Sequence, residues 1–156
     1  MSGLSSATSE DFTQQIAISA DDQVADIKNK VSTFIGNVVV TQGTLKITAD
    51  KMQADASQGK GKEVFIAIGK PAVYTQMLDD GKQITAQANE IRYTLETRNL
   101  SLSGNAQLAQ SDSLVKGEMI NYDLETQTLI ASADKQQKSR VTTIFTPEPK
   151  QNNKQN

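Results

Sequence analysis

The chain lacks cysteine, histidine and tryptophan altogether, and it has only four Phe and three Tyr among 156 residues. Without cysteine there is no disulfide and no thiol nucleophile. Without histidine the commonest general base at neutral pH is missing, and so are the usual zinc ligands. We therefore expect no catalytic residue, no metal and no cofactor.

Charge and hydrophobicity further limit the class of protein to which the chain can belong. The net charge is −2 with acidic and basic residues interspersed, so there is no basic stripe of the kind that binds nucleic acid. No apolar run approaches the roughly 18 residues that a membrane-spanning helix needs. The apolar fraction of 37% is low for a domain of this length and predicts a thin or open core.

An alternating apolar pattern recurs about four times along the chain. Its clearest copies centre on Gly36-Asn37, Gly69-Lys70 and Gly104-Asn105, which we interpret as glycine-containing turns between two alternating runs. A repeated unit of this kind cannot bury its apolar face alone and must stack on its neighbours. The repeats therefore predict a stacked β architecture rather than an enzyme built around one pocket.

Period-two alternation predicts many short strands at nearly ten-residue spacing, which is typical of an all-β sandwich, barrel or roll. The last strand is expected at residues 140–145, at a sheet edge, and residues 53–62 are expected to form an exposed loop. Glycine, Asp and Asn favour tight turns because they tolerate a positive φ. Such residues and the strand spacing predict turns at 41–44, 79–82, 96–99 and 125–127.

Composition also predicts the domain boundaries. Residues 1–13 are rich in Ser, Thr and acids and are expected to form a flexible lead-in. Residues 14–146 carry the strand pattern and form one domain. Residues 147–156 contain Pro, Lys, Asn and Gln but no apolar residue, so we expect a disordered polar tail.

Four segments resemble a known family. They are residues 34–47 with their run Gly-Asn-Val-Val-Val-Thr-Gln-Gly, residues 59–64, Gly69-Lys70-Pro71-Ala72 and Arg140-Val141-Thr142-Thr143. Together they resemble the OstA-like family of periplasmic lipopolysaccharide-transport proteins of Gram-negative bacteria. The resemblance covers residues 14–146 and implies a twisted, V-shaped antiparallel β-jellyroll, all-β and open at both ends.

The same resemblance implies a function. A member of this family is expected to bind the acyl chains of lipopolysaccharide in an apolar interior trough. It would relay the lipid across the periplasm, bridging an inner-membrane complex and an outer-membrane translocon by head-to-tail stacking of rolls. The implied partners are lipopolysaccharide, further copies of the chain, and related jellyroll domains at either membrane. The implied location is the periplasm, with a signal peptide removed ahead of Met1.

Candidate lipid-binding residues come from two sources. The resemblance implies Ile16, Ile18, Tyr74, Tyr93 and Leu95. Alternation alone places further side chains on the inward face, at Phe34, Val38, Leu45, Ile47, Leu102, Leu108, Ile120 and Tyr122. Because apolar alternation most often means ordinary sheet packing, a plain core is the competing interpretation of all of them.

Two other functions stay open at this stage. One is the soluble domain of the related inner-membrane roll component. The other, from a different class, is a β-rich hydrolase that uses carboxylates. The hydrolase needs two acids on facing strands, whereas acids such as Asp79 and Asp80 occur mainly at turns. Lys135, Lys138 and Arg140 form a small basic group that could meet lipid phosphates, although solvated surface charge is the commoner role.

Overall fold

A computed structural model describes residues 11–147 and contains ten strands and one short 3-10 helix within that range. The helix is Lys135–Gln137. The strands are β1 Ala17–Ser19, β2 Asp22–Asp26, β3 Val31–Gln42, β4 Leu45–Asp55, β5 Val64–Met77, β6 Gln83–Thr94, β7 Asn99–Gln110, β8 Ser113–Asp123, β9 Thr128–Ser132 and β10 Thr142–Phe145.

The strands form one antiparallel sheet in which consecutive long strands are neighbours. The order is β1-β3-β4-β5-β6-β7-β8-β10, with β2 also on β3 and β9 also on β8. The described sheet is therefore open and not a closed barrel. Its first edge consists of β1 and β2, and its second edge consists of β9 and β10. This confirms the expected all-β fold with an open roll, and it confirms the edge position of the last strand.

A line of bulges crosses the middle of the sheet. We call this line the seam. At the seam the register between neighbouring strands shifts, and the shifts lie side by side from β3 to β8. They fall between Ile35 and Val38, Thr48 and Lys51, Ile68 and Ala72, Gln87 and Glu90, and Ser103 and Ala106. Bulges bend a strand and increase its twist, so a row of them bends the whole sheet.

The seam corrects one prediction. Gly36-Asn37, Gly69-Lys70 and Gly104-Asn105 are not turns between strands, because they lie inside β3, β5 and β7. Gly36 and Asn37 have φ of +87° and +49°, the left-handed backbone that tight turns also require. A Cβ on Gly36 would lie 2.5 Å from Asp21 Oδ2, so a side chain has no room there. The same residue preference thus serves a bulge here.

The seam divides the sheet into two arms that face each other. Arm 1 comprises residues 38–42, 45–49, 72–77, 83–88, 106–110 and 113–117, with β1 and β10 at its edges. Arm 2 comprises residues 31–35, 51–55, 64–68, 90–94, 99–103 and 119–123, with β2 and β9 at its edges. The Tyr93 hydroxyl of arm 2 donates to Gln42 Oε1 of arm 1 at 2.9 Å. We call the opening between the free ends of the arms the mouth.

The turns join strands at the mouth, and all four predicted turns are confirmed between β3 and β4, β5 and β6, β6 and β7, and β8 and β9. The predicted loop at 53–62 is wrong at residues 53–55, where β4 continues. The reason is that the mixed polar composition of this stretch belongs to a strand with an exposed face.

Two predicted segments fall mainly beyond the described range. Of the predicted lead-in, residues 1–10 lie outside the described residues, Asp11 and Phe12 pack against the domain, and Thr13 is exposed. The predicted tail lies outside them except for residue 147.

Candidate functional site

The candidate site is the apolar space between the two arms. Inward side chains from β3 to β8 form one cluster there, and its largest members are almost fully buried. Alternation explains the cluster, since every second residue of each strand points to the same face and the seam restores that phase in both arms. The sheet thus buries one face against itself.

All thirteen predicted site residues join this cluster. Ten of them are buried in it: Phe34, Val38, Leu45, Ile47, Tyr74, Tyr93, Leu102, Leu108, Ile120 and Tyr122. The other three, Ile16, Ile18 and Leu95, are half-buried and pack against it. The structure therefore brings the predicted residues together, and their contact with lipid stays a prediction.

The apolar interior reaches both edges of the sheet. Ile18 of β1 and its neighbours Ile16 and Ala20 lie half-buried at the first edge. Leu129 and Ala131 on β9 lie half-buried at the second edge. The cluster is therefore continuous from one open end of the roll to the other and is partly accessible at each end.

Between those ends the interior is filled by its own side chains. Leu45, Tyr74 and Leu100 are 0% exposed because residues of the facing arm cover them. A ligand chain that occupied this space would have to replace contacts between the arms. The arms would therefore have to part before an acyl chain could enter.

A small polar network lies inside the mouth and was missed from the sequence. The Tyr74 hydroxyl donates to Gln76 Oε1, and Gln76 Nε2 donates to Asp11 Oδ2 at 2.8 Å. Gln42 accepts from Tyr93 and donates to the backbone carbonyls of residues 12 and 14. Gln42 and Gln76 are 3% and 1% exposed. Their inward phase was a usable signal, since Gln42 follows Val38 and Val40, and Gln76 follows Tyr74, at spacing two.

Burial raises the pKa of the two tyrosines in this network. Burial, followed by the charges of Tyr122, Tyr93 and Asp11, raises the pKa of Tyr74 well above 10.0. Burial is also the main cause that raises the pKa of Tyr93, and nearby Arg98 partly opposes it. Both phenols are neutral hydrogen-bond donors at physiological pH. They can hold the arms together but present no charge to a ligand.

The exposed features of the two edges differ in charge. Asp22 and Asp26 lie on the exposed strand β2, and neighbouring Asp21 accepts from Asn37 Nδ2 at 2.9 Å. At the second edge, Lys138 and Arg140 are exposed between β9 and β10. Apolar side chains also lie exposed at the edges, among them Val24 (63%), Ile130 (69%) and Phe145 (73%).

Residues 11–147 contain no group of three or more Asp or Glu side chains close enough together to hold a metal ion. No helix in the same range has the length and apolar character needed to cross a bilayer. The geometry described above is that of an apolar sheet folded on itself, with open ends. This defines an all-β protein of the open jellyroll class.

Comparison with known proteins agrees with that class. Residues 17–128 match the family model described as LptA/(LptD N-terminal domain) LPS transport protein. Because this match covers more than half of the chain, the chain belongs to that family.

Curated relatives and one solved structure extend the match. The lipopolysaccharide export system protein LptA of Escherichia coli K12 is 44% identical over 142 residues, which cover 90% of this chain and 76% of that protein. LptA of Haemophilus influenzae is 40% identical over 143 residues, covering 90% and 82%. The crystal structure of LptH, the LptA-homologous periplasmic component of lipopolysaccharide transport in Pseudomonas aeruginosa, has a TM-score of 0.82. It is 28% identical and the match covers 88% of this chain and 99% of LptH.

The family settles one alternative from the sequence. Its members are transport proteins and not enzymes, so this chain is not a hydrolase. The paired acids at Asp79 and Asp80 lie in the β5–β6 turn, where Asp80 Oδ1 accepts the Lys82 N–H at 3.0 Å. They therefore form a turn and do not face each other across strands.

Proposed function

We propose that this protein binds lipopolysaccharide by its acyl chains between the two arms. It relays the lipid through the periplasm along a row of rolls stacked head to tail. In this proposal the row bridges an inner-membrane complex and an outer-membrane translocon, and related jellyroll domains of those complexes cap its two ends. The names of the relatives, which describe lipopolysaccharide export and a periplasmic component, support the substrate and the compartment.

One observation carries the lipid-binding part: the apolar cluster runs without interruption to both open ends of the roll. Each methylene removed from water contributes about 0.8 kcal/mol, so about ten buried methylenes would contribute about 8 kcal/mol before any cost. The Tyr74 and Tyr93 hydroxyls are hydrogen-bonded inside the protein. The chain therefore offers the ligand enclosure and no chemical change.

Because its interior is filled, the protein is better suited to passing lipid on than to holding it tightly. A bound acyl chain gains contacts with Leu45, Ile47 and their neighbours, but those residues lose the contacts they now make with the facing arm. Net affinity is the difference between these two terms. A ligand held by a small difference can leave toward the next roll, whereas a preformed empty cavity would hold it more tightly.

The stacking part is supported by the two edges. A free edge strand exposes unpaired N–H and C=O groups that can pair with a strand of another chain. The first edge strand β2 carries Asp22 and Asp26, with Lys28 and Lys30 in the turn after it, and the second edge carries Lys138 and Arg140. Opposite charges favour pairing of a first edge with a second edge over pairing of like edges. Such a head-to-tail contact extends into a row rather than closing into a dimer.

Site-specific photo-crosslinking to purified lipopolysaccharide tests the lipid path. A photoreactive side chain is placed at Ile18 or Leu129, one at each open end, and at Tyr93 between the arms. Matched controls carry the same group at Lys46 and Arg92, which are exposed on the outer face of arm 1 and arm 2. We expect crosslinks at the three inward positions and none at the two controls.

Crosslinks at the outer controls that equal those at inward positions would contradict the proposal. So would an absence of crosslinks at all five positions in folded protein, because the cluster would then be an ordinary core. Sedimentation of the same variants, measured without lipid, tests stacking separately.

A further inference from the structure

Residues 11–14 cross the mouth and contact both arms. Asp11 is 3% exposed although its side chain is a carboxylate, and within residues 11–147 the three donors to that carboxylate come from the β3–β4 turn and β5, at the free end of arm 1. Asp11 Oδ1 accepts the Thr44 N–H at 2.8 Å, and Oδ2 accepts the Thr44 hydroxyl and Gln76 Nε2. A buried carboxylate bound by three donors is held firmly, since hydrogen bonds to charged groups are the strong ones.

The turn between β3 and β4 is shaped to receive this carboxylate. Gly43 has φ of +61°, and a Cβ there would lie 2.2 Å from Asp11 Oδ1 and 2.9 Å from Asp11 Cα. The Thr44 side chain is itself held in place, because its hydroxyl oxygen also accepts the N–H of Met77 at 3.2 Å. The β3–β4 turn and the end of β5 thus both contribute to the anchorage on arm 1.

The next residue reaches arm 2. The Phe12 ring lies under the guanidinium group of Arg98, whose central carbon is 4.5 Å from the ring centroid. Arg98 belongs to the β6–β7 turn of arm 2 and also pairs with Glu125 at 3.7 Å. A cation over an aromatic ring attracts it electrostatically. Phe12 therefore ties the segment to the arm opposite the Asp11 anchor.

Gln42 joins these contacts to the contact between the arms. Its Nε2 donates to the carbonyl oxygens of Phe12 at 3.3 Å and Gln14 at 3.2 Å. With the amide nitrogen so placed, Oε1 faces arm 2 and accepts the Tyr93 hydroxyl. Residues 11–14 therefore orient the side chain that makes the direct hydrogen bond from arm to arm.

We propose that residues 11–14 are a strap that holds the mouth closed, and that its release lets the arms part to admit an acyl chain. The inference rests on the proposed function, because it assigns control of lipid entry to the segment that crosses the mouth. Loss of the Asp11 anchor would loosen the placement of the Phe12 ring under Arg98 and of the carbonyls that orient Gln42, and so would weaken both contacts with arm 2. Parting of the arms would follow without any change in the lipid-contacting residues.

Arm separation can be measured without lipid by electron-electron double resonance. The chain has no cysteine, so Lys46→Cys with Arg92→Cys gives one spin label on the outer face of each arm in an otherwise unlabelled protein. We compare the distance between the two labels in three proteins: the labelled protein without further change, the labelled protein with Asp11→Ala, and the labelled protein with Asp80→Ala. Asp80 is the matched control, because its carboxylate also accepts a backbone N–H at an arm 1 turn but does not contact the strap.

We expect Asp11→Ala to add a population at longer distance. The ratio of open to closed protein should rise roughly tenfold or more, the change that losing one hydrogen bond to a charged group alone produces. Asp80→Ala should leave the distance distribution unchanged. The rate of lipopolysaccharide crosslinking from a photoreactive group at Leu102, which is buried in arm 2 and leaves the Tyr93–Gln42 hydrogen bond in place, should rise with the open population. Phe12→Ala, which keeps the Asp11 anchor, should give a smaller change in the same direction.

Three outcomes decide the matter. An unchanged distance distribution in Asp11→Ala, in protein with a native circular dichroism spectrum, overturns the strap. A longer distance with an unaltered crosslinking rate overturns its control of lipid entry. If Asp11→Ala does not fold, Phe12→Ala with no effect on distance overturns the proposal by itself. Failure of the proposed function is a separate result, since then the unsubstituted protein would show no inward crosslinks at all.

Discussion

Replacing Gly43 by alanine is the sharpest perturbation of the contact between the β3–β4 turn and residues 11–14. The new methyl group would lie 2.2 Å from Asp11 Oδ1 and 2.9 Å from Asp11 Cα. The second atom is backbone, so rotation of the Asp11 side chain cannot relieve the clash. Either residues 11–14 or the turn must move away.

The expected cost has two parts. An alanine at φ of +61° loses about 1 kcal/mol relative to glycine through backbone strain alone. Separation of Asp11 from its donors on Thr44 and Gln76 adds about 2 kcal/mol. We therefore expect a loss of about 3 kcal/mol in the free energy of unfolding. In a chain of this length that lowers Tm by about 9 °C.

Gly81 provides the control within the same protein. It has φ of +82°, and a Cβ there would meet nothing within 4 Å. Gly81→Ala should therefore show only the backbone cost of about 1 kcal/mol, or about 3 °C in Tm. The difference between the two variants, measured by thermal unfolding under circular dichroism, reports the displaced contact.

A double variant separates the lost hydrogen bonds from the other effects of Gly43→Ala. In an Asp11→Ala background the carboxylate is absent, so residues 11–14 can move away from the new methyl group without losing its hydrogen bonds. The cost of Gly43→Ala should then fall by about 2 kcal/mol, toward the cost of Gly81→Ala. Equal costs for Gly43→Ala and Gly81→Ala in the otherwise unchanged protein would refute the reasoning, because the contact with Asp11 would then contribute nothing to stability.

Three further predictions concern lipid, assembly and pH. Ile18→Asp should reduce lipopolysaccharide capture roughly tenfold, because it places an unpaired charge at the apolar open end. The control Ala17→Asp, on the outer side of β1, should leave capture unchanged. Equal capture by both variants would remove Ile18 from the lipid path. Arg140→Glu should weaken self-association about threefold to tenfold in sedimentation, and added salt should weaken the unsubstituted protein in the same way; salt-independent association would contradict a charge-steered contact. The raised pKa of Tyr74 and Tyr93 means that the unfolded chain loses these protons near pH 10 and the folded chain only at higher pH. Stability is thus fully present below about pH 10 and falls as pH rises above it; phenolate absorbance that develops before unfolding would argue against their burial.

The repeat pattern predicted the fold well because period-two alternation survives the seam. The β5–β6 turn at Asp79-Asp80-Gly81-Lys82 was predicted correctly because both flanking strands end there. Gly36-Asn37 was assigned wrongly as a turn for a physical reason. Left-handed backbone is needed both where a chain reverses and where a bulge bends it. Local sequence alone does not distinguish the two.

The site was predicted unevenly. Apolar residues such as Ile47 and Leu102 follow from alternation, and all of them reach the interior. Asp11 lay in a polar stretch whose composition favoured a lead-in, and its partners Thr44 and Gln76 are 33 and 65 residues away. These contacts form because residues 11–14 cross the arm 1 ends of β3, β4 and β5, which the pairing of distant strands brings together. They therefore could not be predicted from any local pattern.

Each edge of the sheet is divided between the two arms, and this links assembly to the state of the interior. β1 belongs to arm 1 and β2 to arm 2, and at the other edge β10 and β9 are divided in the same way. A neighbour that pairs with both halves of an edge must match their spacing. In a stacked row, each interface would be most stable when the two rolls have the same separation between their arms. An opened roll would therefore favour opening of the next one. Linkage of this kind would make lipid entry cooperative along the row and would turn separate carriers into a single conduit.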